Sequence, residues 1–420
     1  MTQITNLSAA DKAAIERLND RQDDMVKTTI AWSEVNTGSH NLDGLKTFAP
    51  RLADAFSVLS ARIDLEETKP FDLINTKGET EACQTGPIVR VKARAEAPIQ
   101  IIMSGHYDTV FPKHSGFDTV TDLGGGRLKG PGLTDMKGGI CIMLEALKAF
   151  EKGPLRDQLG YQIVLTPDEE IGNLASAPAL TEAARSGAMI GMTYEPCMED
   201  GAMSGARKGS AIYDIIFKGR AAHAGRAHAE GRSAIRAAAR FVSAIEDLNG
   251  QYEGVTINTG QIDGGGAVNI VPDLAIVRLG ARGPDSEAAN WLDSQIQSTL
   301  SAILASTDGL AAHVHGGFYR PPKPRNAAQS RLFTAVHATG KAIGLDLEFR
   351  DTGGVCEGNN IFAAGVPNVD TLGVQGGRIH SAEEYVITDS FAKRAAMSVL
   401  LLNRLADGRI DAKSIKALMS

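Results

Sequence analysis

Cysteine is scarce in this 420-residue chain and widely scattered: Cys83, Cys141, Cys197 and Cys356 form no Cys-x-x-Cys pair. That pattern excludes a disulfide framework, a thiolate zinc site and a redox dithiol. Reduced, mostly buried thiols are expected, with Cys356, in a glycine-rich loop, as the exception. No stretch approaches the roughly 18 consecutive apolar residues of a membrane span. The net charge of −7 is spread rather than blocked, and no Lys/Arg-rich stripe with interleaved aromatics occurs. Nucleic acid and anionic membrane are therefore discounted as partners. The opening "MTQITNLSAADKAAIERLNDRQDDMV" never builds the apolar core and cleavage site of a secretory signal, so a cytoplasmic location is expected.

With 43% hydrophobic residues, the chain has material for two domains or one large domain carrying an insertion. Residues 8 to 65 read as helical, with a break from Asn36 to Pro50. Then "PIVRVKAR" alternates like a strand, and "IQIIMSG" is a continuous apolar run suited to a strand covered on both faces. "GGICIMLEALKAFEKG" follows a helical period, and "YQIVLT" and "MIGMTYE" are further strands with a helix-like segment between them. This alternation predicts an α/β fold with a mixed, mainly parallel sheet flanked by helices. From 207 to 320 the order becomes βαββαβ, a ferredoxin-like α+β arrangement complete in itself. The expected division is therefore a first segment over 1–206, an inserted unit over 207–320 and a second segment of the first domain over 321–420.

Several strand-like runs of the first domain end in a histidine or an acid. "IQIIMSG" leads to His106 and Asp108, "YQIVLTP" to Asp168, Glu169 and Glu170, and "MIGMTY" to Glu195. In open α/β sheets ligands gather beyond the carboxyl ends of the strands, so these groups can meet in one crevice. Asp135 precedes the helix that starts near Gly138, and His380 comes from the late glycine-rich "GGRIHSAEEYV". Imidazoles and hard carboxylates without thiolate suit Zn²⁺, with Co²⁺ or Mn²⁺ as substitutes. So many acids in one crevice repel unless cations neutralise them, and two metals would do so. Each group alone has a plainer reading: a turn histidine, a helix-start acidic cluster, a strand-exit glutamate, a helix cap. The glycines of "LGGGRLKGPG" lack the Lys-Ser/Thr of a phosphate loop. The conjunction of all these groups in one order outweighs the separate readings.

The motifs "SGHYDTV", "GPGLTDMKGG", "TPDEEIGN", "YEP", "AAHAG", "GGGAVNIVPD" and "IHSAEEYV" occur in an order that resembles the dinuclear zinc exopeptidase and deacylase family. That family includes glutamate carboxypeptidase, acetylornithine deacetylase and succinyl-diaminopimelate desuccinylase, and the likeness is greatest to the glutamate carboxypeptidase branch. The resemblance implies two zinc ions per chain bridged by Asp135, with His106 and Glu195 completing one site and Glu170 and His380 the other. Asp108 would orient His106, Glu169 would be the general base, and a cis peptide would follow Asp135. His223 would reach across a homodimer formed through the inserted lid to stabilise the oxyanion. Asn269, Arg282, Arg320 and Gly354 would hold substrate. The implied activity is release of a C-terminal amino acid, with a glutamate-like residue as first candidate, from a peptide or N-acyl conjugate. An N-acyl-amino-acid or acetylornithine-type deacylase is the alternative, and a non-catalytic binding homologue is a third reading from another class. Cys356-Glu357, in a loop beside the expected substrate pocket, and Arg226 with His228 in the lid depart from the family pattern, leaving side-chain preference open.

Overall fold

A computed structural model describes residues 6–419; the beginning of the N-terminal segment read above, residues 1–5, lies outside the described residues. A six-stranded sheet runs in the spatial order Arg62–Glu66, Ile88–Ala93, Leu159–Thr166, Ile99–His106, Ile190–Thr193 and Asn368–Val369. The last four are mutually parallel, and the other two joins are antiparallel. The continuous apolar character of Ile99–His106 has a direct cause. Ile101 and Met103 enter one core, with the helices Gly138–Glu151 and Ser390–Ala406, while Ile102 enters a second core on the opposite face with Leu180 and Ile361. A strand buried on both faces has no solvent side to be polar.

The N-terminal helical reading holds for Ala9–Asn19 and Gln22–Ser33 but not at its edges. The expected break to Pro50 is shorter, because the Asn41 side chain accepts from the Gly44 N–H and starts a helix at Leu42. That helix continues through Pro50 to Phe56, since Leu45, Phe48, Ala49, Leu52 and Phe56 are all buried on one side. Tertiary packing outweighs the backbone hydrogen bond that proline cannot make. The end of the segment, Arg62–Glu66, is an edge strand.

A second, four-stranded antiparallel sheet has the order Thr256–Gly264, Leu274–Gly283, Gly209–Lys218, Ala311–Arg320. The helices Ala234–Glu246 and Ser286–Ala305 cover one face, around a separate core containing Phe217, Phe241, Leu279 and Leu292. This is the ferredoxin-like arrangement. The chain enters and leaves it side by side: Arg207 and Lys323 exchange both backbone hydrogen bonds, each 2.9 Å. The cysteine expectation needs one correction: Cys356 is buried, while Cys83 is the partly accessible thiol.

The first turn of Gly138–Glu151 lies so close to the neighbouring chain that a Cβ on Gly139 would sit 2.0 Å from the Tyr194 carbonyl oxygen. Gly139→Ala must therefore push the helix from the segment that ends in Glu195. The expected outcome is a loss of about 1–3 kcal/mol in denaturant unfolding, the usual scale for overpacking, together with weaker metal retention by equilibrium dialysis.

Candidate active site

The carboxyl ends of the parallel strands deliver the ionisable groups. His106 closes its strand, and Glu169, Glu170 and Glu195 follow the ends of two neighbours. Asp135 lies in the irregular turn Leu133–Lys137 just before the long helix, and its peptide bond to Met136 is cis. The Glu384 carboxylate fixes that turn by accepting from the N–H groups of Thr134, at 2.9 Å, and Asp135, at 3.2 Å. His380 comes from the opposite side of the cleft in a left-handed conformation, φ 62°. Histidine is among the few side chains that adopt it with any frequency.

These side chains form two groups that share one member. His106 Nε2 is 3.0 Å from Asp135 Oδ1 and 3.8 Å from Glu195 Oε1. His380 Nε2 is 3.2 Å from both Asp135 Oδ2 and Glu170 Oε2. Asp135 thus offers one oxygen to each group. Ligands about 2.0–2.2 Å from a tetrahedral zinc ion lie roughly 3.3–3.6 Å from one another, so both groups have the spacing of a metal cage. A second observation favours cations here: Glu195 Oε1 is buried without a hydrogen-bond partner. An orphaned, buried carboxylate oxygen is costly unless something positive meets it. The residues therefore fit a pair of metal ions.

The electrostatics point the same way. Burial, together with the Asp135 charge, pushes the carboxyls of Glu170 and Glu195 up, with the nearby histidines opposing. Burial pulls His106 down, but hydrogen bonds to Asp108 and Asp135 overcome it and raise the imidazole well above its ordinary value. Asp135 is held below the usual carboxylate range because the two histidines outweigh its burial.

Asp108 does more than orient His106. His106 Nδ1 lies 3.0 Å from the Asp108 backbone carbonyl oxygen and 3.3 Å from its carboxylate, which also accepts from the backbone N–H groups of Glu169 (3.0 Å) and Glu170 (3.1 Å) and from Ser39 Oγ (2.8 Å). One side chain thus ties the histidine strand to the loop bearing both glutamates. Asp168, in contrast, turns away from the crevice and binds the backbone N–H groups of Ala175 and Ser176 and the Ser176 hydroxyl.

A cleft of about 560 Å³ opens beside the cluster, lined among others by Glu169, Glu195, Arg282, Arg320, Gly354 and His380. Arg320 is nearly fully buried there, with its guanidinium on Glu169. His223 and Asn269 do not line this cleft. Both are exposed, on two adjoining loops of the second sheet unit, where the Ala224 N–H donates to the Asn269 carbonyl. Glu357, expected beside the pocket, points inward instead: it is fully buried and accepts from the Thr166 hydroxyl.

Sequence reasoning passed over Arg207. It lines the cleft, with Nε and Nη2 held by the two oxygens of Asp370 at 2.9 and 3.0 Å. Lys323 Nζ reaches the same carboxylate at 2.6 Å, so two buried cations share one buried anion. The available signal was Asp370, which follows the end of the strand Asn368–Val369 just as the recognised acids follow theirs.

Residues 102–404 match the model of Peptidase family M20/M25/M40. The chain belongs to this family. It is similar to carboxypeptidase G2 of Pseudomonas sp. (strain RS-16), with 25% identity over 407 residues covering 95% of this chain and 93% of that one. It is also similar to a succinyl-diaminopimelate desuccinylase of Nitrosospira multiformis, with 27% identity covering 77% and 86%. Among solved structures, an M20 family metallo-carboxypeptidase from Sulfolobus solfataricus superposes with a TM-score of 0.71 at 16% identity, covering 92% of this chain and all of that one. Aminopeptidase PepT from Bacillus cereus gives 0.68 at 20%, covering 92% and 99%. At these identities the structures establish the shared fold. As a member of M20/M25/M40, the chain is a metal-dependent amide hydrolase.

Two measurements follow for this M20 member. Asp108→Ala keeps the backbone carbonyl on His106 but removes the carboxylate that faces His106, Glu169 and Glu170 together, and should weaken metal affinity or activity by about 10–100-fold. Unchanged affinity and turnover would leave Asp108 with no part in the centre. Because raised donors must shed protons before they can ligate, metal affinity should climb with pH. Calorimetry in two buffers of different ionisation enthalpy should show more protons released at about pH 6 than at about pH 8.

Proposed function

We propose that this enzyme is a dinuclear zinc hydrolase that releases a C-terminal amino acid from a peptide or N-acyl conjugate. The reading rests on the two three-donor groups that share Asp135 beside Glu169. His106, Asp135 and Glu195 are the ligands of one ion, and Asp135, Glu170 and His380 those of the other, with Co²⁺ or Mn²⁺ as substitutes. The bound pair supplies Lewis-acid polarisation of the amide carbonyl and lowers the pKa of water in the site. Glu169 takes the proton of the attacking water and passes it to the nitrogen of the leaving amine. Asp108 holds the His106 ring through Nδ1, leaving Nε2 free to ligate.

The oxyanion needs a donor from elsewhere. His223 Nδ1 accepts from the backbone N–H groups of Gly225 and Arg226 at 3.1 and 3.2 Å, which leaves the proton of the neutral ring on Nε2. Its exposed position outside the cleft of its own chain suits donation into a partner's site. We take the enzyme as a homodimer joined through the unit 207–320, with 1–206 and 321–420 forming the catalytic unit. The exposed edge strand Thr256–Gly264 and the exposed Ile235, Ile262, Val268 and Ile270 support that assembly. Asn269 reaches substrate from the adjoining loop, bridged to that of His223.

The leaving residue is read by its carboxylates. Arg282 and the Gly354 loop line the cleft, and the Arg207–Lys323–Asp370 cluster carries one positive charge in excess. A substrate anion would balance it, which favours an acidic, glutamate-like leaving residue. The resemblance to desuccinylases keeps an N-acyl-amino-acid deacylase as the second reading, and the cytoplasm is the proposed location.

Glu169→Ala tests the mechanism: about two zinc ions per chain should remain while hydrolysis falls by at least ~100-fold. Full activity in that variant, or a wild type that binds no metal, would overturn it. Relative kcat/KM on a panel of dipeptides, N-acyl glutamates and acetylornithine then separates carboxypeptidase from deacylase.

A further inference from the structure

Arg320 is the last residue of the strand Ala311–Arg320, where the chain leaves the second sheet. Its guanidinium nevertheless reaches into the loop carrying the base. Nη1 is 2.5 Å from Glu169 Oε1, while Nη2 donates to the Glu169 carbonyl oxygen at 2.6 Å and to Asn173 Oδ1 at 2.7 Å. Asn173 is itself anchored: it has φ 53°, its backbone N–H donates to the Asp168 carbonyl, and its amide donates to Thr166 and Ser176. The preceding residue grips the same loop. The Tyr319 hydroxyl is 2.8 Å from Ser210 Oγ, and its ring packs so closely on Gly172 that a Cβ there would lie 2.6 Å away.

From this geometry we infer that Arg320 is a positioning residue for Glu169 and not a reader of the substrate carboxylate. The inference rests on Glu169 being the base. A bidentate carboxylate clamp needs two parallel N–H groups of the fork free. In Arg320 Nη2 is taken by the Glu169 carbonyl and Asn173 and Nη1 by the Glu169 carboxylate, so Nε, buried without a partner, has no free neighbour to pair with, and the residue is 2% exposed. A substrate anion would have to displace Glu169 to reach it. The fork instead fixes the base twice, through its carboxylate and through its main chain. Because Arg320 and Tyr319 belong to the second sheet, the aim of the base depends on how that sheet is seated.

The test uses the metal-loaded enzyme and a substrate offered with a free C-terminal carboxylate or as its carboxamide. Arg320→Lys keeps the cation and loses the fork. Positioning predicts a fall in kcat of about 10- to 100-fold, the scale of a misplaced group, equal on acid and carboxamide. KM should stay within about twofold, and metal content should be unchanged. Combined with Glu169→Ala, Arg320→Lys should cost nothing further, because it acts only through Glu169. Arg320→Ala should follow the same pattern; should it fail to fold, the lysine variant and its double mutant decide alone. A rise in KM confined to the free-carboxylate substrate, or losses that multiply with Glu169→Ala, would overturn the inference. Full activity of Glu169→Ala by itself is a separate result that removes the base assignment first.

Discussion

Asp135 is the constraint on which the site depends. One carboxylate lies between two histidines, one from a buried strand end and one from an exposed loop, and each of its oxygens serves a different donor group. The irregular turn carries Asp135 so that each oxygen meets a different histidine, and Glu384 holds that turn by accepting two of its backbone N–H groups. A regular helix start at this point would satisfy its own N–H groups with a cap and aim the carboxylate at them. The sheet behind is rigid because its central strand is buried on both faces, which keeps the strand-end ligands in register with the turn.

Around that centre the charges are arranged in shells of alternating sign. The acids of the crevice call for cations, Asp108 fixes the imidazole of His106, and Arg320 neutralises Glu169 from the second sheet. Farther along the cleft the balance reverses, with Arg207 and Lys323 sharing Asp370. Isolated buried charges of this kind would be prohibitively costly, and paired ones remain expensive. The gain is orientation: a fork held by a carboxylate points one way.

Much of this was legible in the sequence. Apolar runs ending in His106, Glu169–Glu170 and Glu195 located the crevice, because strand direction and ligand position are linked in a parallel sheet. The βαββαβ order from 207 to 320 was legible because periodicity changes from two to 3.6 at clear turns. What failed to show were the outcomes of tertiary competition. Pro50 reads as a breaker, yet five buried apolar side chains keep it helical. Asp168 reads like its neighbours but serves the backbone at Ala175 and Ser176. Glu357 opens the helix Glu357–Ala363 just after a loop that borders the cleft, and is buried against the Thr166 hydroxyl. Arg207 gained its place from Asp370, more than 160 residues away, and no local pattern announces such a pair.

The side-by-side crossing at Arg207 and Lys323 has an evolutionary consequence. Because the outgoing and returning strands are already paired, the host sheet perceives the 113 residues from Lys208 to Arg320 as little more than a hairpin tip. Closing such a loop costs the host almost the same free energy whatever lies beyond it, since that cost grows only logarithmically with length. The inserted segment is thus a cassette, free to lengthen, shrink or change its outer surface while the metal chemistry beneath is retained. Tyr319 and Arg320 grip the loop of Glu169 and Arg282 lines the cleft, so selection on the cassette should be strict at the positions that face the site and more permissive on surfaces turned away from it.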